Sequence, residues 1–313
     1  MAEKPRLAFT SGDPAGIGPE IVVKALRSGR IARVCRPVVV GEKLLWRRAG
    51  WTPDLAPIVE TRLGLRSARC GATDKNTGRA SFASLDTAAR LAGRKAVRGL
   101  VTAPISKKAW KAAGVAYPDH TEYFRAVWRR PEAHMILASP RRNLWSILAT
   151  RHIPLAEVPS RLDSAAILSA ARALSGALTL LKNEKRPRLG LCALNPHAGE
   201  DGILGREEKA LLAPAVKSAR RLGLDLRGPI PADSAWRLHT KGILEGLVTL
   251  YHDQALIALK ACAGLEIVNW TVGLPFVRVS PGHGTALDIA GKNRADPAGL
   301  LAAAELAATL CAS

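Results

Sequence analysis

The 313-residue sequence is poor in aromatic residues, which make up 4% of it, and has only five cysteines. Cys35, Cys70, Cys192, Cys262 and Cys311 are scattered, odd in number and form no CxxC pair. That argues against a disulfide framework or a thiolate zinc site, and it fits reduced thiols in a cytoplasmic protein. No run approaches 18 consecutive apolar residues, so no membrane span is expected. The opening MAEKPRLAFTSGDPAG lacks the apolar segment of a secretory signal. Two phosphate-binding signatures are missing as well. There is no GxxxxGKS/T, and Gly12, Gly16 and Gly18 in SGDPAGIGPE do not have GxGxxG spacing.

Acidic residues are outnumbered, 26 against 46 Lys plus Arg, for a formal charge of +20. Such an excess can mark a polyanion binder. Here it is dispersed over Arg27–Arg36, Arg47–Arg48, Arg62–Arg79, Arg129–Arg130, Arg141–Arg142 and Lys182–Arg188. No aromatics interleave with it as a stacking platform. It reads as a solvated basic surface that attracts anionic substrates, and nucleic acid is not an expected partner.

What is plentiful is Ala, Leu, Val and Gly, suited to helices packed on a buried parallel sheet. Strands are expected at Leu7–Thr10, Arg36–Val40, Gly99–Pro104, Arg188–Leu194 and Gly246–Leu250. Ala133–Ala138 and Asn143–Thr150 read as a hairpin. Helices are expected at Lys43–Arg48, Ser81–Ala96, Ser164–Lys182, Glu207–Arg221 and Ala298–Ala312. Strands alternating with helices predict a layered α/β fold.

Of seven histidines, His120, His152, His197, His252 and His283 stand beside loop residues at expected strand ends. Ligands of open α/β sheets bind at that rim, so the imidazoles suggest a metal site. Spacing alone does not say which of them belong together. SGDPAGIGPE is either a tight strand-to-helix turn or a wall whose backbone N–H groups face an anion. In HGTALDIAGKNRADP, Gly284 and Ala286 permit close approach of a flat group, and Asp288 could accept hydrogen bonds from ribose hydroxyls. An ordinary loop with a helix cap is the competing reading.

The blocks SGDPAGIGPE, VTAPISKKAW, YPDHTEYF, LNPHAGEDGILGREE, GPIPADSAW, YHDQALIALK and VGLPFVRVSPGHGTALDIAG occur in order and span nearly the whole chain. Together they resemble the 4-hydroxythreonine-4-phosphate dehydrogenase family of vitamin B6 synthesis. The tail is also similar to that of the isocitrate and isopropylmalate dehydrogenases. The resemblance implies their three-layer αβα fold, with two subdomains flanking an active-site cleft. A cofactor-side subdomain would cover about 1–118 plus 255–313, and a metal and dimerisation subdomain about 119–254. It implies a homodimer with the active site at the subunit interface.

Residue by residue, the resemblance implies His152, His197 and His252 as metal ligands drawn from both subunits, with His252 expected from a partner chain. It implies His120, Thr121, Lys260, Asn269 and Arg278 as substrate contacts. Asp233 and Lys260 become candidates for proton transfer. His283, Gly284, Thr285, Ala286 and Asp288 form the cofactor loop. His134 and His239 match no functional position. The implied reaction oxidises the C3 hydroxyl of 4-phosphooxy-L-threonine with NAD and a divalent ion (zinc, cobalt, magnesium, nickel or manganese). Loss of CO2 then gives 3-amino-2-oxopropyl phosphate. Asp288-Ile289 implies NAD over NADP. The chain departs from the family pattern at Arg151, Ala255, Trp270, Val279 and Gly282, and it is short around residues 55–80. These departures bear on which phosphorylated hydroxy acid is used, D-erythronate or D-threonate 4-phosphate being the alternatives. A polyanion-binding protein on an inactive dehydrogenase fold is the competing class.

Overall fold

The computed structural model describes residues 3–65, 68–130, 132–182 and 185–312. Arg66, within one of the basic clusters, lies outside them. Its strands are β1 (Arg6–Thr10), β2 (Arg36–Gly41), β3 (Ile58–Glu60), β4 (Gly99–Val101), β5 (His134–Ser139), β6 (Leu144–Leu148), β7 (Leu189–Cys192), β8 (Leu226–Ile230), β9 (Gly246–Thr249), β10 (Val268–Val272) and β11 (Val277–Pro281). The chain divides into two compact units, residues 1–133 with 265–313, and residues 134–264.

In the first unit the strand order is β3-β2-β1-β4-β11-β10. All neighbours are parallel except β10, which runs antiparallel to β11. Alternate residues of the strands face opposite ways. Ala8, Val38 and Leu100 join a core with Leu85, Ala88 and Ala89 of the helix Lys75–Gly93. On the other face the helix Ala298–Ala312 lies along β4, β10 and β11. Its Cys311 Sγ would sit 3.1 Å from a Cβ on Gly99. Helices therefore cover both faces, as the α/β reading requires.

The helix expected at Ser81–Ala96 instead spans Lys75–Gly93. Asp74 caps it, accepting from the backbone of Asn76 and Thr77, while the Thr77 hydroxyl accepts from Asp74 N. A capping box so far upstream moves the start by six residues, because the cap rather than the apolar stripe fixes a helix end.

In the second unit the order is β5-β6-β9-β7-β8. β5 and β6 form the expected antiparallel hairpin, with Asn143 left-handed at its turn (φ 54°). The neighbours β6, β9, β7 and β8 are parallel. The helix Ser164–Lys182 is long and apolar enough to cross a membrane by length and composition. It packs instead on β6 and β9, burying Ile167, Ala170, Ala171, Leu174 and Leu178.

The divisions after residues 133 and 264 fall later than the expected 118 and 254. The helix His120–Val127 buries Tyr123 and Phe124 in the first unit's core. The helix His252–Ala263 belongs with the second, packing on β5, β6 and β9.

Candidate functional site

In the first unit the sequence candidates gather around one cation. Arg278 of β11 is 2% exposed. Its Nε and Nη2 donate to Thr102 Oγ1 at 3.0 and 2.7 Å, its Nη1 donates to Thr271 Oγ1 at 2.9 Å, and its Nη2 donates to His120 Nδ1 at 2.7 Å. Register explains the grouping. Thr271 is Arg278's cross-strand partner on β10, and Asn269 shares the face of Thr271 two residues away. Leu100 is Arg278's partner on β4, and Thr102 follows it by two residues. Every hydrogen-bond partner of the guanidinium is neutral. Burial pushes the Arg278 pKa down to about 10, so the cation remains charged at neutral pH.

His120 departs from the expectation of a strand-end loop. It is the first residue of the helix His120–Val127, whose N-cap Asp119 accepts from Glu122 N at 3.0 Å. The signal was present in sequence, since Asp-His-Thr-Glu is an N-cap followed by an acidic third position. Burial first, then Arg278 and Lys107, holds His120 neutral well below the ordinary imidazole range. Thr121 beside it is buried.

Three buried polar atoms lack hydrogen-bond partners here: His120 Nε2, Asn269 Oδ1 and His283 Nε2. Buried polar groups are nearly always paired, so each of these atoms is open to a hydrogen bond from a ligand or a water. All three belong to residues that the sequence had singled out.

The two glycine-rich segments meet. Ile17 N donates to Thr285 O at 3.0 Å, and a Cβ on Gly16 would lie 2.7 Å from that same oxygen. His283 Nδ1 lies 3.1 Å from Gly284 O. Ala286 is left-handed (φ 42°), and Asp288 is exposed in a turn. No helix is capped there, unlike in the competing helix-cap reading; the next helix opens at Ala298.

In the second unit, the segments that follow the parallel neighbours β6, β9 and β7 carry His152, His252 and His197, with His252 the first residue of the helix His252–Ala263. Leu148 and Thr249 are in register, which brings the following loops together. The rings of His152 and His252 stand 5.5 Å apart. Two imidazoles bound to one tetrahedral ion at about 2.0–2.1 Å place their ring centres about 5–6 Å apart, so this pair fits a shared ion. Asp253 Oδ1 lies 2.7 Å from His252 Nδ1, which leaves Nε2 free to ligate. The expected grouping joined His152 with His197 and a partner's His252; within one chain it is the rings of His152 and His252 that stand near each other. Among the described residues, no three His, Cys, Asp or Glu side chains form a metal-holding group in the single chain.

His197 opens a run of left-handed residues: His197 (φ 51°), Ala198 (55°), Gly199 (78°), Glu200 (40°) and Asp201 (57°). Each non-glycine residue in that region costs roughly 1–2 kcal/mol, so the surroundings must hold the run in place. Buried Glu208 is one such hold. Burial opposes its ionisation, but hydrogen bonds from Asn195 and Leu194 outweigh that and keep the carboxyl below its ordinary range. Sequence reasoning missed Glu208, which lay inside an expected helix from Glu207. The segment Glu208–Leu212 is a wide π-helical turn, with the α-helix starting at Ala213.

Asp233 and Lys260 are both exposed, on the helices Ala232–Thr240 and His252–Ala263. His239 is structural: Nδ1 lies 2.9 Å from Leu244 O, and Nε2 accepts from Trp145 N at 2.8 Å.

Comparison with known proteins bears on the fold and the family. Isocitrate dehydrogenase from Methylococcus capsulatus superposes with a TM-score of 0.53 at 14% identity over 95% of this chain and 83% of its own, a likeness of fold. The fold is thus an α/β fold of the isocitrate dehydrogenase-like kind. A crystal structure of 4-hydroxythreonine-4-phosphate dehydrogenase from Klebsiella pneumoniae gives a TM-score of 0.87 at 32% identity, covering 98% of this chain and 100% of that one. The 4-hydroxythreonine-4-phosphate dehydrogenase of Synechococcus sp. (strain JA-3-3Ab) is 39% identical over 99% of this chain and 95% of its own. The sequence profile of pyridoxal phosphate biosynthetic protein PdxA matches residues 33–307. The chain belongs to that family of oxidoreductases.

Proposed function

We propose that the chain oxidises the C3 hydroxyl of 4-phosphooxy-L-threonine with NAD, and that the resulting β-keto acid loses CO2 to give 3-amino-2-oxopropyl phosphate. The observation that carries this is the buried Arg278 with only neutral partners, flanked by the orphaned His120 Nε2 and Asn269 Oδ1. A buried cation whose direct hydrogen-bond partners are all neutral, with Asp119 the nearby carboxylate that favours its charge, can take an anion, and a guanidinium fork suits a phosphate or carboxylate. His120 Nε2–H and Thr121 can donate to the same substrate. Lys260 or Asp233 takes up the hydroxyl proton, directly or through water.

His152, His252 and His197 would hold a divalent ion, and the segment His283, Gly284, Thr285, Ala286 and Asp288 would hold NAD. When bound, the ion supplies positive charge beside the reacting hydroxyl, and the nicotinamide accepts the hydride. Three neutral imidazoles suit zinc, cobalt or nickel, with magnesium or manganese in a looser site. Among the described residues no group of three ligands forms within one chain, and a second copy would complete the site begun by His152 and His252. Ile203 and Ile257, a few residues after His197 and His252 in sequence, are 79% and 70% exposed, as expected of a surface that a second copy covers. We place this homodimer in the cytoplasm.

The test is turnover by purified protein loaded with each divalent ion, offered 4-phosphooxy-L-threonine, D-erythronate 4-phosphate and D-threonate 4-phosphate. NADH formation and CO2 release with the first support the proposal. Turnover only with one of the others overturns it.

A further inference from the structure

We infer that Glu208 is a positioning residue for the metal site, fixing the chain just ahead of His197 so that the imidazole is presented in one conformation. This rests on the reading of His197 as a metal ligand. Glu208 is buried on the π-helical turn Glu208–Leu212, yet its carboxylate reaches out of that turn to Leu194 and Asn195. Its Oε1 accepts from the backbone N–H of Leu194 at 2.9 Å and of Asn195 at 2.8 Å. Its Oε2 accepts from Asn195 Nδ2 at 2.9 Å, and the same amide donates to Glu207 Oε2 at 2.8 Å. The carboxylate thus grips the exit of β7 two residues before His197.

It also fits the left-handed run from the far side. A Cβ on Gly199 would lie 2.7 Å from Glu208 Oε2, and one on Gly205 would lie 2.3 Å from Asn195 Nδ2. Leu204 N closes the loop onto Gly199 O at 3.1 Å. Both ends of the loop therefore rest on one carboxylate and the amide it holds. A carboxylate is the group this place needs, since it accepts from three donors and offers no hydrogen of its own. A glutamine would turn its NH2 toward the Asn195 NH2 or give up the backbone donors. Residues that orient ligand histidines typically change metal affinity by about 10–100-fold when lost. Glu208 acts on the backbone before the ligand rather than on its ring.

The experiment titrates full-length protein with cobalt(II) alone, reading visible absorption and competition with a chromophoric chelator, for wild type, Glu208→Gln, Glu208→Asp, Gly199→Ala and His197→Ala. Amide exchange of metal-free wild type and Glu208→Gln is measured at Leu194 and Asn195. The expected result is cobalt affinity about 10–100-fold weaker in Glu208→Gln and Gly199→Ala, with faster exchange at both amides while the fold is retained. If Glu208→Gln does not fold, Gly199→Ala and Asn195→Ala carry the same comparison. Wild-type affinity in the Glu208 and Gly199 variants, alongside weakened binding in His197→Ala, overturns the positioning role. Wild-type affinity in His197→Ala removes the ligand reading itself, a separate outcome.

Discussion

Arg278 Nη2 donates to His120 Nδ1 across 2.7 Å, inside a site from which water is largely excluded. The contact fixes the imidazole tautomer: Nδ1 accepts, so the proton sits on Nε2, the atom left without a partner. The guanidinium and the histidine thus form one anion-binding unit. Arg278→Lys keeps the charge and loses the fork. Its kcat/KM is expected to fall about 100-fold, mostly through KM, since a lysine cannot hold Thr102, Thr271, His120 and a ligand at once. Steady-state kinetics with the phosphorylated substrate checks this.

Acid stability follows from the two buried neutral histidines. His120 and His239 both have lowered pKa values, chiefly through burial. The unfolded chain takes up protons near the ordinary value of about 6.5, which the folded chain refuses. Their contribution is therefore complete above that pH and is lost as pH falls below it, by at most about 1.4 kcal/mol per pH unit for each histidine. Urea unfolding between pH 7.5 and 5 should show this decline, with a shallower slope in His239→Gln. An identical slope in the variant would exclude His239 as a source.

The same His239 has a structural role separable from activity. His239→Phe removes the hydrogen bonds of His239 Nε2 with Trp145 N and of Nδ1 with Leu244 O and should cost about 1–3 kcal/mol. Chemical denaturation should register that loss, with kcat for the folded fraction near the wild-type value.

Gly16 is where the first loop touches the cofactor loop. Gly16→Ala would put a methyl 2.7 Å from Thr285 O and 2.9 Å from Thr285 Cβ. Displacement of the segment around Thr285 is expected to raise KM for NAD about tenfold, with a stability cost of about 1–3 kcal/mol. An unchanged KM for NAD would separate that contact from cofactor binding.

His252 depends on its neighbour. Asp253→Asn keeps the shape and removes the charge beside Nδ1, so metal affinity should weaken by about 10–100-fold. Equilibrium dialysis against cobalt measures it.

By itself the sequence determined the alternation of strands and helices, the helices Lys43–Arg48, Ser164–Lys182 and Ala298–Ala312, and the ordered motifs that single out Arg278, His120 and the loop histidines. Those features are local. Apolar periodicity and turn residues record which side of a segment is buried, and a motif records which side chains stand next to one another. Tertiary structure alone decided that His152 and His252 meet, because β6 and β9 are separated by about a hundred residues and become neighbours only through crossover connections. It decided that Arg278 is sealed among neutral partners, since that burial comes from β4, β10 and the helix at His120. It also decided the role of Glu208: helical periodicity counts a buried glutamate on a turn as an exposed charge, and only the close approach of Leu194, Asn195 and Gly199 gives it something to hold.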